Sequence, residues 1–193
     1  MATNIEIEAK VLINEKEYEI VAKHFTKQAE AYYFQTNYYI DTKDFALRTK
    51  GIGLRIRQRE DKYVITLKTP MSEGLLEKTE PISQTEYELM AEKGIFPETK
   101  IRSFLLMMEI EVEKLEILGS LTTERIDVHF ESGLFSIDKN TYAGLVDYEL
   151  EKEGNNLAEA EADLERICEE CHVSYKLNHV SKAARTLNLL KKQ

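Results

Sequence analysis

The sequence predicts an α+β fold built around an antiparallel sheet of eight strands, either open or closed into a barrel. Eight stretches show the alternation of apolar and polar residues that is typical of strands. Most connections between these stretches are short, as antiparallel neighbours allow. The predicted helices are too few, and lie in the wrong places, to connect parallel strands.

The first elements follow from local patterns near the start of the chain. In N-I-E-I-E-A-K, apolar and charged residues alternate, which predicts a strand that ends near Ile13. Asn14 and Glu17 have the spacing of a capping box, so a helix is expected from there to about Phe25. Further strands are predicted at residues 32–41, 52–59, 63–68 and 75–80.

A helical insertion is predicted at about residues 83–108. Ser83 and Glu86 again have capping-box spacing, and Gly94 suits the end of the first helix in this insertion. A second helix is expected to end near Met108. Strands are predicted to resume at residues 121–130, 134–138 and 145–151.

The C-terminal part of the chain is predicted to be helical over about residues 156–191. Its apolar spacing divides it into helices at about 156–171 and 181–191. A chain of 193 residues is long enough for one well-packed core and short for two. Residues 1–193 are therefore predicted to form a single domain.

Composition and charge exclude several classes of protein. The net charge of −9 argues against general nucleic-acid binding, because a phosphate backbone attracts a basic surface. No apolar run approaches the roughly 20 residues that cross a membrane. The N-terminus lacks the basic and then apolar pattern of a signal peptide. We therefore expect a cytoplasmic protein without membrane association, and the oligomeric state stays open.

The two cysteines of the sequence, Cys168 and Cys171, lie in the string C-E-E-C-H. This string fits a haem-attachment motif, and C-x-x-C also occurs in zinc and redox sites. However, Leu164, Ile167 and both cysteines fall on one apolar side of the predicted helix. The sequence also has no second pair of cysteines to complete a zinc site. We interpret both cysteines as core residues.

Charged residues recur at a period of two on several predicted strands. Arginines alternate with apolar residues in G-L-R-I-R, and glutamates do so in E-L-E near residue 150. One interpretation is that these are the solvent faces of an ordinary antiparallel sheet, whose other face packs on helices. Against it, the charges are segregated with little mixing, since one strand offers two glutamates and another two arginines, whereas a surface that serves solubility usually mixes signs.

The second interpretation places the charged faces inside a curled sheet. Because burying an ionised group is costly, such groups must be hydrated, paired or bound to ions. Clustered carboxylates are hard oxygen ligands of the kind that Mg²⁺ and Mn²⁺ prefer. Arginine and lysine match the oxygens of a polyphosphate, and arginine can bind them through two donors. Together these groups indicate phosphoryl transfer from a polyphosphate with a divalent metal.

The ordered series of motifs resembles the CYTH domain family, the triphosphate tunnel metalloenzymes. E-I-E-A-K, at residues 6–10, resembles the E-x-E-x-K signature of that family. The series continues with Y-Y-I-D-T, L-R-I-R, T-L-K, Arg125, I-D and E-L-E, and it covers about residues 4–151. The resemblance implies an eight-stranded antiparallel β-barrel, open as a tunnel, that binds a triphosphate with a divalent metal, Mg²⁺ or Mn²⁺.

The same resemblance implies a set of site residues. The metal ligands would be Glu6, Glu8, Asp138, Glu149 and Glu151. The residues that bind phosphate would be Lys10, Arg55, Arg57, Lys68, Arg125 and Lys182. For Lys182, a solvated helix lysine is the alternative. The residues expected to act in catalysis are Glu8, Arg57, Glu149 and Glu151. No site residue is assigned in 75–80, which does not clearly reproduce a charged strand of the family.

The functional prediction is a metal-dependent hydrolase of inorganic triphosphate, thiamine triphosphate or a nucleoside triphosphate. One alternative is an adenylate cyclase that acts on ATP. The other is a module that binds polyphosphate or nucleotides without cleaving them. Paired acidic strands favour catalysis, because a protein that only binds anions gains nothing from carboxylates beside its ligand. The expected partner is a small-molecule triphosphate or polyphosphate.

Overall fold

The computed structural model describes residues 1–131 and 133–189, and within them nine strands form one sheet. The strands are β1 (Ala2–Glu6), β2 (Glu8–Ile13), β3 (Ala29–Asp41), β4 (Gly53–Arg59), β5 (Lys62–Pro70), β6 (Leu75–Ile82), β7 (Glu116–Phe130), β8 (Gly133–Tyr142) and β9 (Leu145–Glu153). The helices are α1 (Glu15–Phe25), α2 (Ala46–Thr49), α3 (Gln84–Lys93), α4 (Lys100–Met107), α5 (Leu157–Cys171) and α6 (Lys182–Asn188), with a 3₁₀ helix at Val112–Lys114.

The hydrogen-bonded order of the strands is β1-β6-β5-β4-β3-β7-β8-β9-β2. The pairs β2–β9, β3–β4, β4–β5, β5–β6, β7–β8 and β8–β9 are all antiparallel. The predicted α+β class with an antiparallel sheet is therefore confirmed, with nine strands instead of eight. The two strands at the ends of this order, β1 and β2, are consecutive in the chain and are separated only by Ile7.

The ninth strand arises because the predicted first strand is interrupted. At Ile7 the chain leaves one pairing for another, so that β1 pairs with β6 and β2 pairs with β9. Ile5 is 52% exposed, although the alternating pattern placed it on the same apolar face as the buried Ala9. An alternating pattern shows which residues share a face, but it does not show that two halves of one run have different partners.

The chain divides into two compact units. The first unit contains residues 1–5, 36–121 and, among the described residues, 183–189. The second unit contains residues 6–35 and 122–182, so β3 and β7 contribute residues to both. A single domain over residues 1–193 stays a prediction.

The core of the first unit lies between one face of its strands and its helices. Leu54 and Ile56 of β4 and Ile65 of β5 are buried together with Met90 of α3 and Leu105 of α4. Because side chains alternate along a strand, the residues between these apolar positions lie on the opposite face. The predicted insertion at 83–108 thus supplies two helices that cover the apolar face.

The core of the second unit has the same arrangement. Val11 of β2, Ile137 of β8 and Leu150 of β9 are fully buried with Phe25 of α1 and Leu164 of α5. The charged positions of β2, β8 and β9 are therefore left on the other face of the strands.

The two cysteines lie in the core of the second unit, as predicted. Both thiols are unoxidised and buried, with exposed fractions of 0% for Cys168 and 5% for Cys171. Burial raises the pKa of Cys168 to about 12 and that of Cys171 to about 11. Neither is therefore a thiolate at neutral pH, and the pattern C-E-E-C-H reflects packing.

Local sequence signals locate the helix ends correctly. Asn14 accepts a hydrogen bond from the backbone N–H of Glu17, at 3.1 Å, and the Glu17 carboxylate accepts one from the Asn14 backbone N–H. The same reciprocal pair begins α3 at Ser83, and Gly94 ends that helix in the left-handed conformation. The predicted end of the last helix, Lys191, lies outside the described residues. None of the helices in the described part of the chain is long and apolar enough to cross a membrane.

Candidate functional site

Strand register in the second unit brings charged residues from four strands onto one face. Arg125 of β7 lies opposite Asp138 of β8, which lies opposite Glu149 of β9. Two residues after Glu149 on β9, Glu151 lies opposite Lys10 of β2. Directly opposed residues of antiparallel strands share a face, so these five side chains line the same surface.

Three carboxylates of this face converge on one ammonium group. Lys182 Nζ lies 2.8 Å from Asp138 Oδ2, 2.8 Å from Glu149 Oε2 and 2.5 Å from Glu151 Oε1. The side chains of Asp138 and Glu149 are fully buried, and that of Lys182 is 12% exposed. We call Asp138, Glu149 and Glu151 the carboxylate cluster. Lys182 is thus not a solvated helix lysine, and its role in phosphate binding stays a prediction.

The segment between α5 and α6 positions Lys182. It runs beside β2, where Leu177 forms a β-bridge with Val11 and the backbone N–H of Asn178 donates to the Lys10 carbonyl at 2.7 Å. The Asn178 side chain also donates to Glu149 Oε1 at 3.0 Å. No pattern in the sequence indicates Asn178, because its position depends on this contact between distant segments.

Arg125 donates hydrogen bonds to two members of the carboxylate cluster, Asp138 and Glu151. Its Nε and Nη2 donate to the two oxygens of Asp138 at 2.7 and 2.5 Å, and Nη2 also donates to Glu151 Oε2 at 2.5 Å. Burial alone would raise the pKa of Glu151, but Lys182, Arg125 and Lys10 together hold it well below its ordinary value. Glu151 is therefore a carboxylate in the folded protein at neutral pH.

A second acidic group lies at the start of β2. Glu8 is 2.6 Å from Lys10 Nζ, and it lies opposite Glu153 of β9 in the strand register. Burial raises the pKa of Glu153, and the charges of Glu8 and Glu6 raise it further. Glu153 was not predicted as a site residue, although it continues the alternation of Glu149 and Glu151.

Asp127 of β7 is a further acidic residue of this unit that was not predicted as a site residue. It is buried, and its two oxygens accept hydrogen bonds from the hydroxyls of Ser136 and Tyr33, both at 2.7 Å. It lies two residues after Arg125, so the period of two in R-I-D places both on one face. The charge of Asp127 helps to raise the pKa of Arg125, after burial, which lowers it, and after Asp138 and Glu151, which raise it.

Within the first unit, Arg55, Arg57 and Lys68 of β4 and β5 form a cationic face. Arg57 Nε donates to Asn37 Oδ1 at 3.0 Å, and Arg55 lies 3.4 Å from Glu77 of β6. The Nε of Arg55 is buried and has no hydrogen-bond partner among the described residues. Lys68 lies opposite Glu77, which shows that β6 carries a charged residue on this face.

The carboxylate cluster has the donor chemistry of a divalent-metal site. Its oxygens already surround a cation, and carboxylate oxygens are the ligands that Mg²⁺ and Mn²⁺ prefer. In the described residues, no group of three or more His, Cys, Asp or Glu side chains is spaced to hold a metal as it stands. The residues therefore fit a metal by chemistry, and their present spacing is that of salt bridges to Lys182 and Arg125.

The fold and these faces define a class: an α+β protein whose antiparallel sheet carries a carboxylate cluster and clustered cations. Comparison with known families agrees with this class, because the CYTH domain matches residues 4–187. The chain belongs to the CYTH domain family.

Individual relatives cover nearly the whole chain. The Bacillus subtilis (strain 168) protein named "Putative triphosphatase YjbK" is 33% identical over 170 residues, which are 88% of each chain. The crystal structure of a Bacillus halodurans protein described as a "putative adenylate cyclase" is 30% identical, with a TM-score of 0.87, and the match covers 96% of this chain and 98% of that one.

A plant structure shares the fold at lower identity. HpAC1 from Hippeastrum, described as a "Putative adenylyl cyclase" with a dominant triphosphatase activity, is 21% identical with a TM-score of 0.81. The match covers 95% of this chain and 96% of that one. At this identity the likeness shows the fold alone.

Proposed function

We propose that this protein is a divalent-metal-dependent hydrolase of a triphosphate substrate. The observation that carries the proposal is the carboxylate cluster, in which three buried acids surround one cation beside Arg125. Membership of the CYTH family and the similarity to a relative named as a triphosphatase support it. Neither comparison names the metal or the natural substrate.

The carboxylate cluster would hold the metal, with Glu6 at the end of β1 and Glu8 at the start of β2 as further ligands. The cluster is suited to this because its acids lie on the adjacent strands β8 and β9, which fix their spacing, and contact the cations Lys182 and Arg125. When bound, Mg²⁺ or Mn²⁺ would supply positive charge to the oxygens of the triphosphate. Asn178 would orient Glu149, since it donates to the oxygen that Lys182 does not contact.

The cations of each unit would bind phosphate oxygens. Arg55 is suited to this because its buried Nε lacks a hydrogen-bond partner, and a buried donor without a partner is unfavourable. Arg57 lies on the same strand face, where Asn37 holds its guanidinium in one orientation. We propose the same role for Lys68, Lys10, Arg125 and Lys182.

Hydrolysis also requires a group that orients the attacking water. Glu8, Glu149 and Glu151 are the candidates, because a carboxylate can accept a proton from water held at its oxygen. A covalent intermediate on cysteine is disfavoured, since the buried thiols have pKa values raised to about 12 and about 11. Direct attack by water is therefore the proposed route.

An adenylate cyclase is the second candidate, and one observation favours keeping it. The Bacillus halodurans structure, at 30% identity, is described as a putative adenylate cyclase. A cyclase would need a base for the ribose 3′-hydroxyl and a pocket for adenine, and the sequence carries no motif for either. A module that binds triphosphates without cleaving them would use the same cations.

One assay separates these functions. Purified protein is incubated with tripolyphosphate, thiamine triphosphate or ATP, first with Mg²⁺ or Mn²⁺ and then with a chelator. We expect inorganic phosphate to be released in the presence of metal and its release to stop when the chelator is added, because carboxylates without a bound metal repel the anionic triphosphate. Formation of cyclic AMP would identify a cyclase, and tight binding without turnover would identify a binding module.

A further inference from the structure

The ammonium of Lys182 occupies the point on which the carboxylate cluster converges. Its three contacts, at 2.5–2.8 Å, use Asp138 Oδ2, Glu149 Oε2 and Glu151 Oε1. With a carboxylate oxygen of each of the three acids within 2.8 Å, the ammonium of Lys182 offsets negative charges that would be costly to bury unpaired.

A divalent cation that binds these carboxylates competes with this ammonium. Both need the oxygens that now contact Lys182, and two cations at one point repel each other strongly where the surrounding side chains are buried. The contacts at Glu149 and Glu151 do not require such an exchange, because Asn178 uses the other oxygen of Glu149 and Arg125 uses the other oxygen of Glu151. At Asp138, Arg125 Nη2 and Lys182 share Oδ2, and Arg125 Nε keeps a separate hydrogen bond to Oδ1.

We propose that Lys182 is an internal cation that occupies the carboxylate cluster in the metal-free protein and leaves it when a divalent metal binds. This inference rests on one part of the proposed function, namely that the carboxylate cluster is the metal site. It adds that the Lys182 ammonium and the metal replace each other at that site. Without metal, Lys182 and Arg125 offset two of the three negative charges of the cluster, and metal binding releases a lysine for the phosphate oxygens of the substrate. Metal and triphosphate should then bind cooperatively, because each favours the same position of Lys182.

The test is a measurement of Mn²⁺ affinity, in the absence of any triphosphate, for the wild type and Lys182→Met. Methionine keeps an unbranched side chain, shorter by one atom, and removes the charge. We expect Mn²⁺ to bind Lys182→Met about tenfold or more tightly than the wild type, since the competing cation is gone. Lys182→Arg keeps a cation and should show no such gain. Lys176→Met is the matched control, because Lys176 is exposed in the segment between α5 and α6. This variant should bind Mn²⁺ like the wild type.

Because Lys182→Met leaves buried carboxylates uncompensated, its thermal unfolding is measured with and without Mn²⁺. We expect a larger Mn²⁺-dependent rise in Tm for this variant than for the wild type, even if the metal-free variant is largely unfolded. Equal or weaker Mn²⁺ binding by Lys182→Met, with no extra rise in Tm, would overturn the exchange. These readouts are independent of turnover. A wild type that hydrolyses no triphosphate would refute the proposed function and leave the exchange intact.

Discussion

Replacement of Arg125 by alanine is expected to lower the free energy of unfolding by about 3–5 kcal/mol, which is the usual cost of removing one partner from a buried ion pair. The guanidinium is 11% exposed and donates to both Asp138 and Glu151. Without it, two acids of the carboxylate cluster would share the single ammonium of Lys182 with Glu149. Urea denaturation of the wild type and the variant measures the difference.

The stability lost in Arg125→Ala should be greater at neutral pH than in acid. Burial raises the pKa of Glu151, but Lys182 and Arg125 lower it more, to well below its ordinary value in the folded protein. A group whose pKa is lowered by folding adds stability above its unfolded pKa, and this stability is lost as the pH falls through the folded pKa. The difference between the wild type and Arg125→Ala should therefore be largest at neutral pH and smaller in acid.

Arg102→Ala is the matched control for Arg125→Ala. Arg102 contacts two glutamates that are themselves largely exposed, both at 3.4 Å. Such a surface pair contributes about 1 kcal/mol or less. If Arg125→Ala were no more destabilising than Arg102→Ala, the buried ion-pair network would not stabilise the fold as described.

Replacement of Arg57 by alanine is expected to lower the rate of triphosphate hydrolysis by about 10²–10³-fold, a typical loss when one donor to a developing charge is removed. Arg57 lies on the polar face of β4, and its orientation is fixed by Asn37. Its removal exposes no core residue, so the free energy of unfolding should change little. Rates of phosphate release with saturating metal, together with a urea curve, measure both quantities.

Arg59→Ala provides the control for this prediction. Arg59 lies two residues further along β4, on the same face, but it is exposed at the end of the strand. We expect hydrolysis by Arg59→Ala to stay close to that of the wild type. If both variants lost activity equally, the effect would come from the general charge of the strand, and Arg57 would have no specific role.

The helix ends and the strand faces could be predicted because they depend on neighbours in the sequence. The capping box at Asn14 uses a partner three residues away, and the alternation of Arg55 and Arg57 with Leu54 and Ile56 is a property of one strand. Such signals do not depend on how the strands are ordered. They were sufficient for the α+β class and for the charged faces.

The contacts within the candidate site could not be predicted in the same way. Lys182 meets Glu149 and Asp138 across separations of 33 and 44 residues in the numbering, through a loop whose path follows β2. Nothing near Lys182 in the sequence distinguishes it from a solvated helix lysine. Glu77 was missed for a related reason, since its register opposite Lys68 is what places it on the cationic face. The motif series could therefore predict which residues belong to the site, but the tertiary structure was needed to identify their partners.

Crystals grown with Mn²⁺ and tripolyphosphate, with anomalous diffraction recorded at the manganese edge, test the central claim most directly. That claim is that the carboxylate cluster is the metal site of a triphosphatase. The predicted result is an anomalous peak bonded to oxygens of Asp138, Glu149 or Glu151, with the Lys182 ammonium withdrawn from them. A manganese peak at another position, with Lys182 still in contact with all three carboxylates, would contradict it.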